Sequence, residues 1–510
     1  MPARRRAQAT PARDDEMTRL DLARIKKGGT MRREDGRSPL ERFLGLFAEV
    51  RKGEGANTVL LALNIFLILT AYYILKPVRE ALILSEESAE VKSYAAAGQA
   101  ALLMIAVPAY AVLAGRLPRR RLMNAVILFF VACLGAFFLL GQARVPIGVV
   151  FYLWIGIFSL MAIAQFWAFA NDLHTPEEGK RLFAIVAFGA TAGAVFGSLV
   201  LGEVIDDIGV YAPFLLAAAT LIASLFLTNV IHRRNLDRAV DIRSGVRSGA
   251  ELPVARGDAF RLVFKTRYLL LIALLIVVLN WVNTTGEFIQ SRIVEESADR
   301  AVATGTAGTL DVGEYIGRFY SRFYLIVNIA SVLIQLFLVS RIIKYLGVRV
   351  ALLILPVIAF GGYAIIALYP VLGVVRWAKT AENSTDYSLM NTLRGVLFLP
   401  TTREQKYKGK QAIDSFFVRI GDLLSAATVA LGLNVIGLGT TGFAAVNLGL
   451  TGLWILFALF VGIRFHRATM ERDVEATTAE EGGARLEEKP QTEDDPRSGA
   501  ERRRLTGSGF

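Results

Sequence analysis

Long apolar stretches recur along most of the chain, and short polar connections separate them. A helix needs about 20 apolar residues to cross a hydrocarbon core of about 30 Å, and we identify twelve suitable stretches. They lie at 57–84, 93–114, 122–141, 147–170, 181–202, 210–231, 268–293, 321–340, 348–368, 371–394, 411–436 and 441–465. This pattern predicts an all-α integral membrane protein with twelve transmembrane helices.

The longest polar connection between these stretches, at 232–267, follows the sixth of them. We interpret it as a cytoplasmic linker between an N-terminal half at 51–231 and a C-terminal half at 268–467. The segments at 1–50 and 468–510 contain too little apolar surface to fold alone, so we expect two disordered cytoplasmic tails. This arrangement of two six-helix halves resembles the major-facilitator architecture.

Basic residues are concentrated in alternate connections. The chain is 54% hydrophobic, with a mean hydropathy of +0.46 and a formal net charge of +12. Lys and Arg are enriched in cytoplasmic connections of membrane proteins, so the distribution predicts cytoplasmic N and C termini. These basic residues are Arg116, Arg119, Arg120, Arg121, Arg341, Lys344, Arg349, Arg403, Lys406, Lys408 and Lys410. No basic block has interleaved aromatic residues, and we therefore expect no nucleic-acid partner.

Several kinds of chemistry have no candidate residues in the sequence. Cys133 is the single cysteine and lies in an apolar stretch, so an internal disulfide or a thiolate metal site is not expected. No nucleophile with a partner base and no nucleotide-hydrolysis motif is present. We therefore expect no enzyme activity, no cofactor and no metal. Gly189, Gly193 and Gly197 recur every four residues, which predicts close helix packing.

Charged residues interrupt the first apolar stretch. Lys76 lies three residues from Arg79 and four from Glu80, so the three side chains share one helix face. Ionisable residues inside a span are costly and usually mark a pathway. Pro77 lacks a backbone donor and predicts a discontinuity in the helix. We interpret the two cations as a candidate anion site; the alternative is that they extend to the outer headgroups.

The seventh stretch carries an acidic residue at a matching position. Glu287 lies nineteen residues after Tyr268, the same offset that separates Lys76 from Asn57. If the two halves are related by symmetry, Glu287 and Lys76 lie at similar depth. We expect Glu287 to pair with Lys76 or Arg79 in one state and to release it in another. Thr284, Thr285 and Gln290 are expected to surround the carboxylate with hydrogen-bonding groups.

The tenth and eleventh stretches hold further charges. In the tenth, four charged residues share one helix face, which suits a water-filled cavity; the alternative is a loop outside the membrane. They are Arg376, Lys379, Glu382 and Asp386, with Asn383 beside them. In the eleventh, Asp414, Arg419 and Asp422 are candidates either for a pathway or for structural pairing.

Three segments resemble one known family. They are YYILKPVREALIL from Tyr72, FWAFANDLHTPEEGKRLFAI from Phe166 and YSLMNTLRGVLFLPTTREQKYKGKQAIDSFFVRIGD from Tyr387. The chain is similar to the ATP/ADP translocases of plastids and intracellular bacteria, and more closely to the related bacterial NTP/NDP exchange transporters. The resemblance runs from about 50 to 465. It implies nucleotide exchange by alternating access, and Lys76 and Glu287 match two charges that the family uses.

The sequence also departs from the family pattern. A Lys-Tyr-Ser of the family is replaced by Asp386-Tyr387-Ser388, and a Lys-Glu by Arg394-Gly395. A glutamate of the family's fourth span is absent. These departures leave the substrate open between ATP or ADP and another organic anion.

We therefore expect a bacterial inner-membrane transporter that acts as a monomer and exchanges nucleotides or related phosphorylated anions. The partners would be this substrate, protons or phosphate, and the lipid bilayer. Predicted substrate-binding residues are Lys76, Arg79, Glu287, Lys379, Asn383 and Arg394. Predicted gating or charge-pairing residues are Glu80, Asp172, Glu382, Asp386, Lys410, Asp414, Arg419 and Asp422. The alternatives are a proton-coupled carrier of another small solute and a membrane partner protein without a transport cycle.

Overall fold

The computed structural model describes residues 38–46, 48–116, 119–235, 256–402 and 404–487, and its regular elements in these ranges are all helical. A short helix, α1, precedes six long helices in the first half. Their bounds are α1 Pro39–Leu44, α2 Gly55–Glu86, α3 Ala89–Arg116, α4 Arg119–Gln142, α5 Gly148–Asp172, α6 Pro176–Ile208 and α7 Pro213–Arg234.

The second half repeats this order, with one short helix before the long ones. It begins with α8 Arg256–Lys265 and α9 Arg267–Ala303. The helical run Val312–Leu368 is broken at Gly347, where φ is 72°, and this divides it into α10 at 312–346 and α11 at 348–368. The last helices are α12 at 372–396, α13 Gln405–Ile436 and α14 Thr440–Glu487.

A helix is present at each of the twelve predicted apolar stretches. Within the described ranges, nine helical runs are long and apolar enough to cross a membrane, with Val312–Leu368 counted as one of them. The tenth stretch is helical at 372–396 and not a loop, but it is not one of these nine runs, so its position in the membrane stays a prediction. The discontinuity predicted at Pro77 is wrong, since α2 continues through this residue.

The predicted tails and linker lie partly outside the described residues. Within the first tail, α1 is ordered, and Leu44 and Val50 pack against Leu182 of α6. The linker's described ends belong to α7 and α8, and its central residues 236–255 lie outside the description. The second predicted tail starts inside α14, which continues to Glu487.

Two separate hydrophobic clusters form the core of the molecule. One consists of buried residues between Leu61 and Ile231, and the other is built mainly from residues between Val263 and Val461. The second cluster also includes Ala81, Ile83 and Leu84 from the end of α2. Each half therefore has its own core, and the end of α2 connects them.

The glycine stripe in α6 packs closely against α2. A Cβ atom at Gly189, Gly193 or Gly197 would collide with the backbone of α2, at Ala62, Phe66 and Thr70 respectively. The prediction of a packing role is confirmed, because only glycine permits this approach of the two backbones.

The two halves contact each other through one set of helix ends, which we call the closed end and define by Ala89 and Glu295. There the Ala89 amide donates to Glu295 Oε2 at 2.8 Å, and Arg318 pairs with Asp206 at 3.0 Å. Ser321 Oγ donates to the Ser198 carbonyl at 2.5 Å. At the opposite end, no hydrogen bond or ion pair joins the halves within the described part of the chain. The described hydrogen bonds and ion pairs between helix ends of the two halves therefore lie at the closed end.

Candidate functional site

Lys76 lies where helices of the two halves meet, and its ammonium group is surrounded by tyrosine rings. The Nζ atom is 3.9 Å from the centroid of the Tyr324 ring, 5.4 Å from Tyr73 and 5.6 Å from Tyr387. It also donates a hydrogen bond of 3.4 Å to Tyr387 Oη. The side chain is only 8% exposed. Among the described residues, no carboxylate lies within ion-pair distance of Lys76.

Local helix geometry positions the rings of this tyrosine cage, defined by Tyr73, Tyr324 and Tyr387. Tyr73 and Lys76 are three residues apart on α2 and so share a face. Tyr387 belongs to a π-helical turn, Asp386–Met390, that interrupts α12. Such turns change the direction of the side chains they carry and are frequent at functional sites. A desolvated cation gains about 2 kcal/mol from an aromatic face, which partly offsets the burial of Lys76 without a counter-ion.

A second cluster lies between Lys76 and the closed end. Glu80 is completely buried; its Oε1 accepts from Arg79, and its Oε2 forms an ion pair with Lys92 Nζ at 2.6 Å. Lys92 also donates to Ser291 Oγ of α9 at 2.6 Å. The guanidinium of Arg79 lies over the Tyr152 ring, 4.6 Å from its centroid. We call Arg79, Glu80 and Lys92 the closed-end triad; it connects α2 and α3 to the second half.

Glu287 lies on α9 and is half-buried. Its charge interacts electrostatically with Lys76, but it forms no ion pair with Lys76 or Arg79 in this structure. The predicted hydrogen-bonding shell is wrong in this conformation: Thr284 donates to Asp422 at 2.9 Å, and Thr285 bonds Ser425 at 3.0 Å. Among the described residues Glu287 has no hydrogen-bond partner, so its carboxylate is available to a cation or a proton.

Two predicted residues of α12 form a buried pair. Lys379 is 2.9 Å from Glu382, and it also donates to Asn283 at 3.1 Å. Tyr363 Oη donates to the other oxygen of Glu382 at 2.8 Å. Both members of the pair are buried, so the predicted exposure of this whole face to a water-filled cavity is wrong for them. Gly286 provides the space, because a Cβ there would overlap Tyr363 Oη.

The other predicted charges are distributed along the helices. Asp386 is 3.5 Å from Arg394, and Asp422 is 3.2 Å from Arg419. Lys410 pairs with Asp414 at 2.9 Å, and both side chains are about two-fifths exposed. Three predicted residues remain: Asn383 is buried near Glu382, Asp172 ends α5, and Arg376 lines a different cavity.

Sequence reasoning missed the tyrosine cage and Lys92. Lys92 was assigned to the connection before the second stretch, which was predicted to start at 93, whereas α3 already starts at Ala89. The three tyrosines come from three helices, and hydropathy carries no information about which helices meet. A signal was nevertheless present, since Tyr73 lies one helical turn before Lys76.

A family model assigns the chain to a family of membrane proteins, in agreement with its long apolar helices. The family model of the Major Facilitator Superfamily matches residues 61–396, which is more than half of the chain. The chain belongs to the Major Facilitator Superfamily. Together with the long apolar helices, this makes it a multi-pass membrane protein, and its bacterial relatives indicate the inner membrane.

The resemblance to ATP/ADP translocases is confirmed by relatives that carry the name ADP,ATP carrier protein. ADP,ATP carrier protein 1 of Chlamydia pneumoniae is 25% identical over 344 residues, 59% of this chain and 64% of that protein. The protein of the same name from Chlamydia trachomatis is 23% identical over 364 residues, 63% of this chain and 66% of the relative. The chain thus spans slightly less than two thirds of these two relatives. ADP,ATP carrier protein 2 of Chlamydia pneumoniae is 22% identical over 527 residues, 84% of this chain and 92% of the relative.

Two solved transporter structures share the fold. The nucleoside transporter NupG aligns with a TM-score of 0.55 at 14% identity, covering 80% of this chain and 99% of NupG. A POT family transporter in complex with 5-aminolevulinic acid aligns with a TM-score of 0.55 at 12% identity, covering 80% and 96%. At such identities the likeness concerns the fold alone.

The burial of the closed-end triad predicts that the stability of the protein depends on Glu80. Glu80→Ala leaves two buried cations without their counter-charge, and removing one partner of a buried ion pair costs about 3–5 kcal/mol. We expect a clear fall in the thermal unfolding temperature of the purified protein. Adding Lys92→Met to Glu80→Ala removes one of the cations and should restore part of the loss.

The matched control is Glu296→Ala, which breaks the exposed pair of Arg292 and Glu296 near the same end. An exposed pair contributes about 0.2–1 kcal/mol, so little change is expected. If Glu80→Ala and Glu296→Ala had equal unfolding temperatures, a stabilising role of the triad would be refuted.

Proposed function

We propose that this protein exchanges nucleotides, or closely related phosphorylated anions, across the membrane by alternating access through twelve spanning helices. The single observation that carries the proposal is Lys76, a buried cation at the junction of the halves that has no carboxylate partner among the described residues. An anionic substrate would supply the missing charge. The printed names of the relatives, ADP,ATP carrier proteins, support a nucleotide as the anion.

The orientation we propose follows from the charges of the connections. The α2–α3 connection at the closed end carries Glu86 and Glu87, while the connections at the opposite end are rich in Arg and Lys. Since cytoplasmic connections are enriched in basic residues, the closed end would face the outside. The structure would then represent an inward-open state, with both termini in the cytoplasm.

The site offers the two kinds of contact that a nucleotide needs. Lys76 would bind phosphate oxygens as a point charge, and the faces of the cage tyrosines would stack against the base. Arg394, which is half-buried and closer to the open end, would be met first by an entering anion. Arg79 is held by Glu80 and Tyr152, and we therefore assign it a positioning role in this state.

Glu287 would provide the switching charge. With no substrate bound, movement of α9 toward α2 would allow its carboxylate to pair with Lys76. A bound anion would compete for the same cation and release Glu287. In the empty carrier Glu287 would neutralise Lys76, and in the loaded carrier the substrate would do so. This difference would couple the change of conformation to the presence of substrate.

The test is exchange of labelled ATP for internal ADP in proteoliposomes. A hydrogen bond to a charged group is worth about 1.5–3 kcal/mol, so Lys76→Ala should reduce exchange on the order of 10–100-fold. Lys76→Arg keeps the charge and should retain part of the activity. Lys344→Ala removes an exposed lysine of α10 and serves as the control.

Normal exchange by Lys76→Ala would overturn the assignment of the site. Failure of the wild-type protein to exchange any nucleotide, with uptake of another organic anion that depends on Lys76, would keep the site and replace the substrate.

A proton-coupled carrier is the second candidate function. The observation in its favour is the carboxylate of Glu287, which lies at the same junction and has no hydrogen-bond partner among the described residues. Ionisable groups in such positions often act in proton pathways. This alternative predicts net uptake driven by a pH gradient, without any internal counter-substrate.

Glu287→Gln separates the two functions. If Glu287 is the switching charge, the variant should bind ATP within a few-fold of wild type but exchange it about ten-fold more slowly, because one ion pair worth about 1.4 kcal/mol is lost. A pH gradient should not drive net uptake by the wild type. Glu404→Gln, at an exposed pair with Lys408, is the control. Gradient-driven uptake that Glu287→Gln abolishes would instead favour the proton-coupled carrier.

A further inference from the structure

A second cationic cavity lies at the closed end of the C-terminal half, away from Lys76. Its volume is about 360 Å³, and it lies between the α9–α10 connection and the first turns of α10 and α12. Arg318 and Arg322 line it from α10, and Arg376 lines it from α12. None of its lining residues is acidic. Cavities of about 300–1,000 Å³ are typical of small-molecule sites.

The three arginines differ in how their charge is balanced. Arg318 pairs with Asp206 of α6, in the other half, at 3.0 Å. Within the described residues, neither Arg322 nor Arg376 has a carboxylate partner, and Arg376 Nε is buried without any hydrogen bond. Arg318 and Arg376 are half-buried and Arg322 is exposed, and like charges brought together in this way repel each other. The cavity therefore has an excess of positive charge that an anion would neutralise.

Helix periodicity explains how the cavity is built. Arg318 and Arg322 are four residues apart on α10 and project from one face, and Tyr315 and Phe319 provide the neighbouring aromatic surface. Arg376 reaches the same space from the second turn of α12. The forked guanidinium group suits phosphate oxygens, which it binds through two parallel hydrogen bonds. The lining thus combines donors for phosphate with an apolar wall.

We propose that this cavity binds a phosphorylated anion through Arg322 and Arg376. The bound anion also competes for Arg318 and so weakens its bridge to Asp206 between the halves. The effect on opening rests on the proposed transport function. If the closed end faces the outside, the cavity is a site that captures the anion from outside, and its occupation favours opening of the closed end. Arg318 is six residues, or about 9 Å of helix, from Tyr324 of the cage, so the two sites lie along one helix.

The experiment measures binding of labelled pyrophosphate to the purified full chain carrying Lys76→Ala, so that the central site does not contribute. Ala307→Asp places a negative charge in the lining of the cavity, on the connection before α10. Thr309→Asp adds the same charge to the same connection outside the lining and is the control. Arg322→Gln with Arg376→Gln removes the two proposed ligands.

We expect Ala307→Asp to weaken pyrophosphate binding about ten-fold. The double glutamine variant should weaken it further, since it removes two charged hydrogen-bond donors. Thr309→Asp should bind like its parent. Equal affinity in all of these variants would overturn the proposal. Because the assay requires no transport, its result is independent of whether the protein exchanges nucleotides.

The anion could come from solution or from a lipid headgroup, and two membranes distinguish these sources. The titration is repeated in nanodiscs of phosphatidylcholine alone and with phosphatidylglycerol. If the site takes a soluble anion, affinity is the same in both. If phosphatidylglycerol reduces pyrophosphate binding, and Ala307→Asp removes this competition, the occupant is a lipid phosphate. Absence of pyrophosphate binding in both membranes would overturn the proposal.

Discussion

The buried carboxylate of Glu80 is the interaction on which the arrangement of the two halves depends. It lies between Arg79 of its own helix and Lys92 of the next, and Lys92 in turn donates to Ser291 across the junction. Charges of this kind are stable in a low-dielectric interior only when they are fully paired and hydrogen-bonded. Closing one end of the molecule brings Ser291 within hydrogen-bond distance of Lys92, and opening that end would have to provide Lys92 with another partner.

The cations of the triad are paired with a carboxylate, whereas Lys76 is surrounded by aromatic rings, and this difference makes Lys76 the cation suited to bind an anion. The ion pairs at Glu382, Asp386 and Asp422 satisfy local cations within the C-terminal half. Among the residues that the structure describes, the close partners of Lys76 are aromatic faces and one hydroxyl, at the junction of the halves. A cation solvated by rings binds an incoming anion without first losing a carboxylate. Rings are also the weaker partner, so an anion with good geometry displaces them.

Hydropathy predicted the helices well, because a long apolar helix is specified by its own residues. The helix at the eighth predicted stretch, α10, nevertheless starts at Val312 rather than 321, since Asp311 and Glu314 form a capping box that extends it. Spacing also identified Lys76 and Glu287 as residues of interest. The spacing of three residues allows the pair of Lys379 and Glu382 within α12. It did not reveal that Tyr363 of α11 bonds both residues, because those contacts depend on the packing of α11 against α12. Contacts between helices require knowledge of rotation and tilt, which a single sequence does not contain.

The most direct test of alternating access is a pair of distances measured by electron spin resonance in the same protein. With Cys133→Ser as background, labels at Glu87→Cys and Thr309→Cys report on the closed end, and labels at Lys180→Cys and Lys406→Cys report on the opposite end. The account predicts that adding ATP lengthens the first distance and shortens the second in a fraction of molecules. Distances that stay constant, or that change in the same direction, would contradict it.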